Sequence, residues 1–322
     1  RHSSSAASDV YKRQNMDTLA NREGFIWMDG QLVNWADAKI HVLTHTLHYG
    51  LGVFEGVRAY ATSDGSKIFR LNDHTKRLFE SAKAVNMKIP FSEQEINEAQ
   101  KEVFRVNNLD EGYIRPMCFY GSEGMGLRAD NLKVHCIVAA WEWPSYMSPE
   151  AFEKGINIKI SSYKRETGNI VSRSKVNGNY VTSIMALQEA MKEGYDEALL
   201  LDDENNISEG SGENFFIVKN KILFTPDLDA SLDGITRKSI ISLAKEMNIK
   251  VEIKKIKLDD VLEADELFFT GTAAEVVPIR SVDKKLISNG NRGEITTVLQ
   301  KNYFDQVRGK RDSFPEWLFS TD

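Results

Sequence analysis

The apolar residues of this chain occur in short runs, and the longest clearly apolar run is Cys136 to Trp141. A helix that spans a membrane needs about 20 consecutive apolar residues, so the sequence predicts no transmembrane segment. Hydrophobic residues make up 41% of the chain and charged residues 27%, a balance typical of a soluble folded protein. The short runs are therefore expected to form strands and amphipathic helices buried in compact cores.

The size and charge of the chain narrow the possible functions. Its 322 residues predict two domains, since a domain has about 150 residues. The formal net charge is −6, with 41 Lys and Arg against 47 Asp and Glu. Without a basic field, neither a nucleic acid nor a membrane surface is an expected partner. The only cysteines, Cys118 and Cys136, are too few for a disulfide framework and suit a reducing, cytoplasmic compartment.

The first half of the chain has the pattern of an α+β domain. Residues 1–15 are rich in Ser and Ala and precede Met16, so we interpret them as a disordered leader or tag. The N-terminal domain is predicted over 16–143. Its signals are a hairpin at Asp29-Gly30, a second hairpin with strands over 53–61 and 67–71 around the turn at 63–66, helices over 72–86 and after the capping box of Ser92 and Glu95, and strands over 113–120 and 133–143. A Pro- and Ser-containing stretch opens the predicted linker, 144–154.

The second half predicts another α+β domain, over 155–322. Strand patterns occur at 156–160, 197–201, 214–218, 250–256 and 266–270, and helical patterns occur at 180–193, 236–248 and 294–307. Two such domains leave a cleft between them, and a cleft of this kind commonly holds a cofactor.

The segment from Ser174 to Tyr180 places Lys175 among small and polar residues just ahead of a helical pattern. A lysine amine becomes a nucleophile when desolvation or nearby cations lower its pKa, and Arg165 and Arg173 are candidate neighbours. Further along, Glu209 lies in a Gly-rich turn, where a carboxylate can pair with a protonated pyridine nitrogen. A surface lysine and a solvated hairpin turn are the alternatives for these two residues.

Two bends have the character of phosphate sites. Gly234, Ile235 and Thr236 open a predicted helix, where free N–H groups favour an anion. Gly271, Thr272 and Ala273 follow a predicted strand and offer hydroxyl and amide donors. Each bend alone is also compatible with an ordinary helix cap or turn. Together with the lysine and the turn carboxylate, they describe a pyridoxal-phosphate site.

Two other kinds of site are poorly supported by the sequence. His41, His45 and His48 would share a face of a helix and bind zinc, but Val42 and Leu43 favour a strand and no Cys or carboxylate ligand is near. Gly121, Gly124 and Gly126 have the wrong order for a dinucleotide fingerprint, and no helix follows them. We expect neither a metal nor a nicotinamide cofactor.

From Phe25 to Tyr303 the chain resembles the fold-type IV pyridoxal-phosphate enzymes, and most closely the branched-chain amino-acid aminotransferases. The matching motifs, in chain order, are His48 to Gly50, Val53 to Arg58, Tyr113 to Pro116, Gly124 to Gly126, Lys175 to Tyr180, Ser208 to Asn214, Gly234 to Arg237 and Gly271 to Glu275. The resemblance implies an α+β, two-domain enzyme with a smaller N-terminal α/β sandwich and a larger C-terminal domain built on a barrel-like sheet.

The resemblance also implies how the cofactor, pyridoxal 5′-phosphate, is held. Lys175 would bind it covalently and act as the catalytic base. Glu209 would pair with the ring nitrogen and Tyr180 with the ring hydroxyl. The remaining cofactor-binding residues would lie around the phosphate: Arg77, Gly234, Ile235, Thr236, Gly271 and Thr272.

The same resemblance implies one pocket for two kinds of substrate, a branched-chain amino acid and 2-oxoglutarate or glutamate. Arg115 would receive the side-chain carboxylate of glutamate, while Tyr113 and the backbone of Thr272 and Ala273 would bind the α-carboxylate. The other expected substrate residues are Tyr49, Phe54, Gly56, Leu127, Trp143 and Tyr146.

Leu127 falls where a partner subunit's loop covers the pocket in this family, so a homodimer or a dimer-based homohexamer is expected. The expected reaction is the ping-pong transfer of an amino group from L-leucine, L-isoleucine or L-valine to 2-oxoglutarate. Aminodeoxychorismate lyase, D-amino-acid aminotransferase and a non-catalytic scaffold that only binds the cofactor are the alternatives.

Overall fold

A computed structural model of the protein describes residues 18–171 and 173–321. The predicted leader, 1–15, lies outside these residues. Within them, no helix combines the length and the apolar character needed to cross a membrane.

The first half of the chain forms a sheet with two long helices. Its strands are β1 (Phe25–Met28), β2 (Gln31–Asn34), β3 (Gly52–Phe54), β4 (Val57–Thr62), β5 (Gly65–Phe69), β6 (Gly112–Tyr120) and β7 (Val134–Trp141). Its helices are α1 (His45–Tyr49), α2 (Leu71–Ala84) and α3 (Glu93–Val106).

The second half has more and shorter elements. Its strands are β8 (Ile156–Arg165), β9 (Glu197–Asp202), β10 (Ile207–Gly210), β11 (Asn214–Lys219), β12 (Ile222–Thr225), β13 (Val251–Ile253), β14 (Glu266–Gly271), β15 (Glu275–Val282), β16 (Lys285–Leu286) and β17 (Leu318–Ser320). Its helices are α4 (Pro149–Lys154), α5 (Tyr180–Lys192), α6 (Ile235–Glu246), α7 (Leu258–Leu262) and α8 (Glu294–Val307).

The N-terminal sheet has the order β17-β5-β4-β6-β7-β1-β2, with β3 also beside β6. Strand β6 shows how the sequence sets its two faces, because successive side chains of a strand point to opposite sides. Ile114 and Cys118 pack into a core with Leu78 of α2 and Val103 of α3. Tyr113 and Arg115 point the other way and line a cavity. This alternation gives the domain one covered face and one functional face.

In the second half, six strands close into a barrel in the order β10-β9-β8-β15-β14-β11, and β11 pairs again with β10. Strand β11 is buried on both faces. Phe215 and Ile217 belong to one apolar cluster with other barrel strands, whereas Phe216 and Val218 pack with α6 and α8. The expected α+β fold with a barrel-like sheet is confirmed, and the run of apolar residues at 215–218 follows from this double burial.

Most predicted elements are confirmed, including the capping box, in which the Glu95 N–H donates to Ser92 Oγ and the Ser92 N–H to Glu95 Oε2. The single strand predicted over 53–61 is wrong, because the chain breaks at Glu55 and Gly56 between β3 and β4. The predicted linker contains helix α4, whose N-cap is Ser148. The domain boundaries stay predictions, and the last strand, β17, pairs with β5 of the N-terminal sheet.

Helix α8 begins after Gly293, which offers no side-chain cap. Instead, Glu266 at the start of β14 accepts hydrogen bonds from Ile295 N at 3.0 Å and from Thr296 N at 2.7 Å. A carboxylate at this position satisfies free N–H groups and lies at the positive end of the helix dipole.

We expect Glu266→Ala to lower the free energy of unfolding by about 1–2 kcal/mol, because the first turn of α8 loses its cap. Urea denaturation of the parent and the variant checks this. Glu266→Gln keeps an acceptor oxygen without the charge and should lose less. Equal denaturation midpoints for the alanine variant and the parent would contradict the capping role.

Candidate active site

A cavity of about 260 Å³ lies between the N-terminal sheet and the barrel. Most of the predicted site residues line it: Phe54, Gly56, Arg77, Tyr113, Arg115, Trp143, Tyr146, Lys175, Tyr180, Gly234, Ile235, Thr236, Gly271, Thr272 and Ala273. Both halves of the chain contribute to this wall, so the cavity occupies the cleft that two domains leave.

Lys175 reaches the cavity from a short segment between β8 and α5. Its backbone is fixed on both sides, because Lys175 N donates to Ser81 Oγ at 3.0 Å and Phe54 N donates to Lys175 O. Its amine donates to the Tyr180 hydroxyl at 2.6 Å, and the Phe54 and Tyr180 rings lie 4.9 Å apart. The amine is thus held inside the cleft and is not a solvated surface charge.

Glu209 of β10 lies beside this lysine in a small adjoining pocket and not on the main cavity wall. Its carboxylate is 3.1 Å from Arg165 Nη2 and accepts a hydrogen bond from Leu232 N at 3.1 Å. Burial raises the pKa of Glu209, and Arg165 opposes that rise. Of the two cations expected near Lys175, Arg165 is therefore in the site, whereas Arg173 is exposed.

The opposite end of the cavity is built to attract an anion. Arg77 of α2 donates to Asp233 O at 3.0 Å and so joins the helix to the turn before α6. Gly234, Ile235 and Thr236 open α6, where N–H groups have no partner within the helix. A side chain at Gly234 would place Cβ 1.8 Å from Asn214 Oδ1, so any other residue there would displace the Asn214 side chain.

Glu55 positions Arg77, although the sequence predicted no individual role for Glu55. The Glu55 carboxylate accepts from Arg77 Nε at 2.7 Å and Nη2 at 2.9 Å, and lies 2.8 Å from His74 Nδ1. Although burial opposes ionisation, Arg77 and His74 hold the pKa of Glu55 far below its usual range. Burial lowers the pKa of His74. The sequence contains a signal for this role, because the charged residue Glu55 directly follows the apolar residues Val53 and Phe54.

The wall contributed by the N-terminal sheet mixes aromatic rings with one cation. The Arg115 guanidinium lies 4.8 Å from the centre of the Phe54 ring, and its Nη2 is 3.4 Å from the Tyr113 hydroxyl. Trp143 packs edge-on against Tyr113, with ring centres 4.6 Å apart. A Cβ at Gly56 would lie 1.7 Å from that hydroxyl. The wall therefore suits an apolar group while keeping a positive charge within reach.

Two predicted substrate residues, Tyr49 and Leu127, do not line this cavity. Both are exposed, Tyr49 by 42% and Leu127 by 89% of its surface. They lie close together, because the Tyr49 hydroxyl accepts from Gly126 N at 3.1 Å and His45 Nε2 lies 2.8 Å from Gly126 O. The loop that carries Leu127 is thus fixed on α1, away from its own cavity.

Helix α1 begins at His45, so His41 does not share a helix face with His45 and His48. His48 Nε2 lies 2.9 Å from Val42 O, whereas His45 turns to the Leu127 loop. Among residues 18–171 and 173–321, no group of three His, Cys, Asp or Glu side chains is arranged to bind a metal ion.

Two further buried carboxylates were missed, Glu197 and Glu213. Glu213 lines the cavity beside Gly212, whose N–H donates to its Oε2 at 3.0 Å. Burial raises the pKa of Glu197 to about 7, and burial together with Glu197 raises the pKa of Glu213. Ionisation of Glu197 therefore makes ionisation of Glu213 more costly.

A lysine, a buried carboxylate and an anion site lie together in one cleft of this fold. This combination is typical of one class of enzyme. The sequence model of the family Amino-transferase class IV matches residues 52–282. The chain belongs to this family.

Within the family, the chain groups with branched-chain-amino-acid aminotransferases, and it is an aminotransferase. The Pseudomonas aeruginosa enzyme of that name is 57% identical over 301 residues, 93% of this chain and 98% of that protein. The Escherichia coli K12 enzyme is 42% identical over 297 residues, 91% of this chain and 96% of that protein.

Solved structures agree. The crystal structure of the Escherichia coli branched-chain amino acid aminotransferase has a TM-score of 0.91 and 40% identity, covering 94% of this chain and 100% of that one. The crystal structure of the Thermoproteus uzoniensis branched-chain aminotransferase with norvaline has a TM-score of 0.89 and 37% identity, covering 94% of this chain and 100% of that one. A further branched-chain amino acid aminotransferase, solved with pyridoxamine 5′-phosphate, has a TM-score of 0.91 and 42% identity, covering 94% of this chain and 99% of that one.

We expect Glu197→Gln to stabilise the protein at high pH. The folded-state pKa of Glu197, about 7, lies above the ordinary value of 4.5. Folding therefore loses stability as the pH rises between these values, because ionisation is more costly in the folded state. The variant should gain on the order of 2 kcal/mol over the parent at pH 8 and little at pH 4.

Denaturant unfolding of both proteins at the two pH values checks this prediction. Glu316→Gln, at an exposed position, is the matched control and should track the parent throughout. A gain that is the same at pH 4 and pH 8 would show that the carboxyl is not the group that titrates.

Proposed function

We propose that this enzyme transfers the amino group of L-leucine, L-isoleucine or L-valine to 2-oxoglutarate in a ping-pong reaction with pyridoxal 5′-phosphate as its cofactor. The observation that carries the proposal is the Lys175 amine, held 2.6 Å from the Tyr180 hydroxyl in a cleft with an anion site. The names of the relatives at 57% and 42% identity support the same reaction.

The residues of the cleft fit this cofactor. The amide-rich start of α6 and Arg77 suit its phosphate, and Glu209 suits its protonated ring nitrogen. The Thr270 hydroxyl, buried in the cavity wall, has no hydrogen-bond partner within the described part of the chain. A polar ligand in the cavity accounts for such a group. When bound, the cofactor acts as an electron sink for the bonds at the substrate Cα.

Lys175 has two tasks in the proposed reaction. Its amine would hold the cofactor, and once free, Lys175 Nζ would be the base that takes up and returns the proton of the substrate Cα. The short hydrogen bond to Tyr180 keeps the freed amine in the cleft. Glu209 remains ionised when a protonated ring nitrogen lies opposite it, because opposite charges in a buried site favour their charged forms.

The proposed substrates share an α-carboxylate and differ in their side chains. Tyr113 and the backbone of Thr272 and Ala273 bind the common carboxylate. Phe54 and Trp143 contact an aliphatic side chain, and Arg115 turns from the Phe54 ring toward the carboxylate of 2-oxoglutarate. One cation beside an aromatic wall thus serves both half-reactions.

We further propose that the enzyme is a homodimer or a dimer-based homohexamer, in which Leu127 and Tyr49 complete the cavity of the neighbouring subunit. Large apolar side chains are exposed on the same part of the molecule, including Val42 at 74% and Leu47 at 63%. Exposed apolar clusters of this kind favour a protein interface.

We also propose a reducing, cytoplasmic location, which the buried free thiols of Cys118 and Cys136 support.

We expect Lys175→Ala to abolish transamination, because among the described residues that line the cleft no other lysine can replace it. The test mixes the enzyme, saturated with pyridoxal phosphate, with L-leucine alone and follows the visible absorption of the bound cofactor. In the parent this absorption disappears as pyridoxamine phosphate forms, and in the variant it persists. Lys192→Ala, at an exposed position of α5, is the control and should behave like the parent.

Normal turnover by Lys175→Ala would refute the role of the lysine. A parent enzyme that leaves its absorption unchanged with leucine and releases pyruvate from aminodeoxychorismate would be a lyase. Bound cofactor that is converted by D-leucine and not by L-leucine would indicate a D-amino-acid aminotransferase, and bound cofactor without any of these reactions would favour a non-catalytic scaffold.

We expect Leu47→Glu to shift the enzyme from dimer to monomer in analytical ultracentrifugation and to reduce leucine turnover about tenfold or more, since a charge enters an apolar interface. Leu286→Glu makes the same change at another exposed position, 58% accessible, and should leave both properties intact. A Leu47→Glu variant that remains a fully active dimer would contradict the proposed interface.

A further inference from the structure

Glu275 closes the turn that carries Thr272 and Ala273. It is the register partner of Gly271 where β14 turns into β15. Its backbone is left-handed, with φ at 59°. Glycine is the usual residue in a left-handed position of a tight hairpin loop, because the Cβ of any other residue comes close to the following carbonyl oxygen. A glutamate in this position indicates that its side chain has a task.

The Glu275 carboxylate is held across the domain boundary. Arg58 Nη1 lies 3.3 Å from Oε2, and the Tyr60 hydroxyl donates to Oε1 at 2.9 Å. The Arg58 and Glu275 side chains are only 4% and 6% exposed. Burial raises the pKa of Glu275, and Arg58 opposes that rise. Both partners belong to β4 of the N-terminal sheet, whereas Glu275 belongs to the barrel.

Arg58 also contacts the opposite wall of the cavity. Its backbone is paired in register with Tyr113 on β6. Its Nη2 lies 3.5 Å from the carbonyl oxygens of Trp143 and Pro144. Arg58 is therefore joined to the strand of Tyr113 by its backbone, and its guanidinium links the segment of Trp143 to the turn that Glu275 closes.

We propose that Glu275 is a positioning residue for the α-carboxylate of the substrate, acting with Arg58 and Tyr60. It fixes the Thr272–Ala273 turn so that its amides face the cavity opposite Tyr113. This inference rests on the proposed function, since the turn and Tyr113 are the proposed carboxylate site. A glycine at position 275 would relax the backbone, but it would remove the side-chain link between the Thr272–Ala273 turn and the N-terminal sheet that carries Tyr113.

The experiment uses the enzyme saturated with pyridoxal phosphate and measures binding of 4-methylvalerate, which has the skeleton of leucine without its amine. Isothermal titration calorimetry of Glu275→Gln should give an affinity about tenfold weaker, because the charged contact to Arg58 is lost. Glu275→Gly should weaken it at least as much, despite its easier backbone. Tyr60→Phe removes only the second contact and should weaken it less.

The affinity for pyridoxal phosphate, measured on the same variants, separates positioning from a general structural role. In Glu275→Gln it should fall less than the affinity for 4-methylvalerate, because Arg77 and the start of α6 still hold the phosphate, whereas a damaged fold would weaken both ligands equally. With leucine as substrate, KM should rise more than kcat falls. Arg58→Lys, which keeps a charge opposite Glu275, should recover part of the 4-methylvalerate affinity that Arg58→Met loses.

Unchanged 4-methylvalerate binding in Glu275→Gln or Glu275→Gly would overturn the inference. If Glu275→Gln does not fold, Tyr60→Phe and the two Arg58 variants decide it by the same two affinities. Failure of the proposed function would give a different result from failure of this inference. The parent enzyme itself would then neither bind 4-methylvalerate nor convert its cofactor with leucine.

Discussion

The buried carboxylate of Glu55 is the constraint on which the cavity depends. An ionised carboxylate without water is costly unless every oxygen is paired. Arg77 and His74 supply that pairing from α2, which fixes the helix against the break between β3 and β4. Arg77 then reaches the backbone of Asp233 ahead of α6. The same contacts that neutralise one charge therefore align the N-terminal sheet with the anion-binding end of the barrel domain.

Positive and acidic groups lie in different parts of the cavity and its adjoining pocket. Arg77 and the start of α6 are positive, whereas Glu213 in the cavity wall and Glu209 in the adjoining pocket are acidic. A ligand with an anionic phosphate at one end and a basic ring nitrogen at the other is complementary to this arrangement. Burial raises the pKa of Glu209 and so favours its protonated form, and Arg165 opposes that effect. The formal net charge of −6 does not reveal this distribution of charge, because the distribution depends on where the individual charged residues lie.

The sequence predicted the elements with strong local signals, such as the capping box at Ser92 and the helix over 294–307, which matches α8. It missed β15, whose Pro278 is unusual inside a sheet, and it missed Glu55 and Glu197. Buried charges have no periodic pattern, since their partners are distant in sequence: Glu55 and Arg77 are 22 residues apart. The lysine, turn carboxylate and two bends were found because each has a local signature.

The two domains are joined too firmly for the cleft to open as a simple hinge. Tyr60 and Phe69 of the N-terminal sheet share one buried apolar cluster with Leu299 and Tyr303 of α8, and Trp317 extends that cluster into β17. Separating the sheet from the barrel would expose these rings, and each large buried side chain contributes about 1.5–3 kcal/mol to keeping them together. Substrate exchange therefore depends on the walls outside the cluster, such as Tyr146, which is 42% exposed. A rigid boundary of this kind also keeps the Thr272–Ala273 turn and Arg115 at a constant separation, as the proposed use of one pocket by two successive substrates requires.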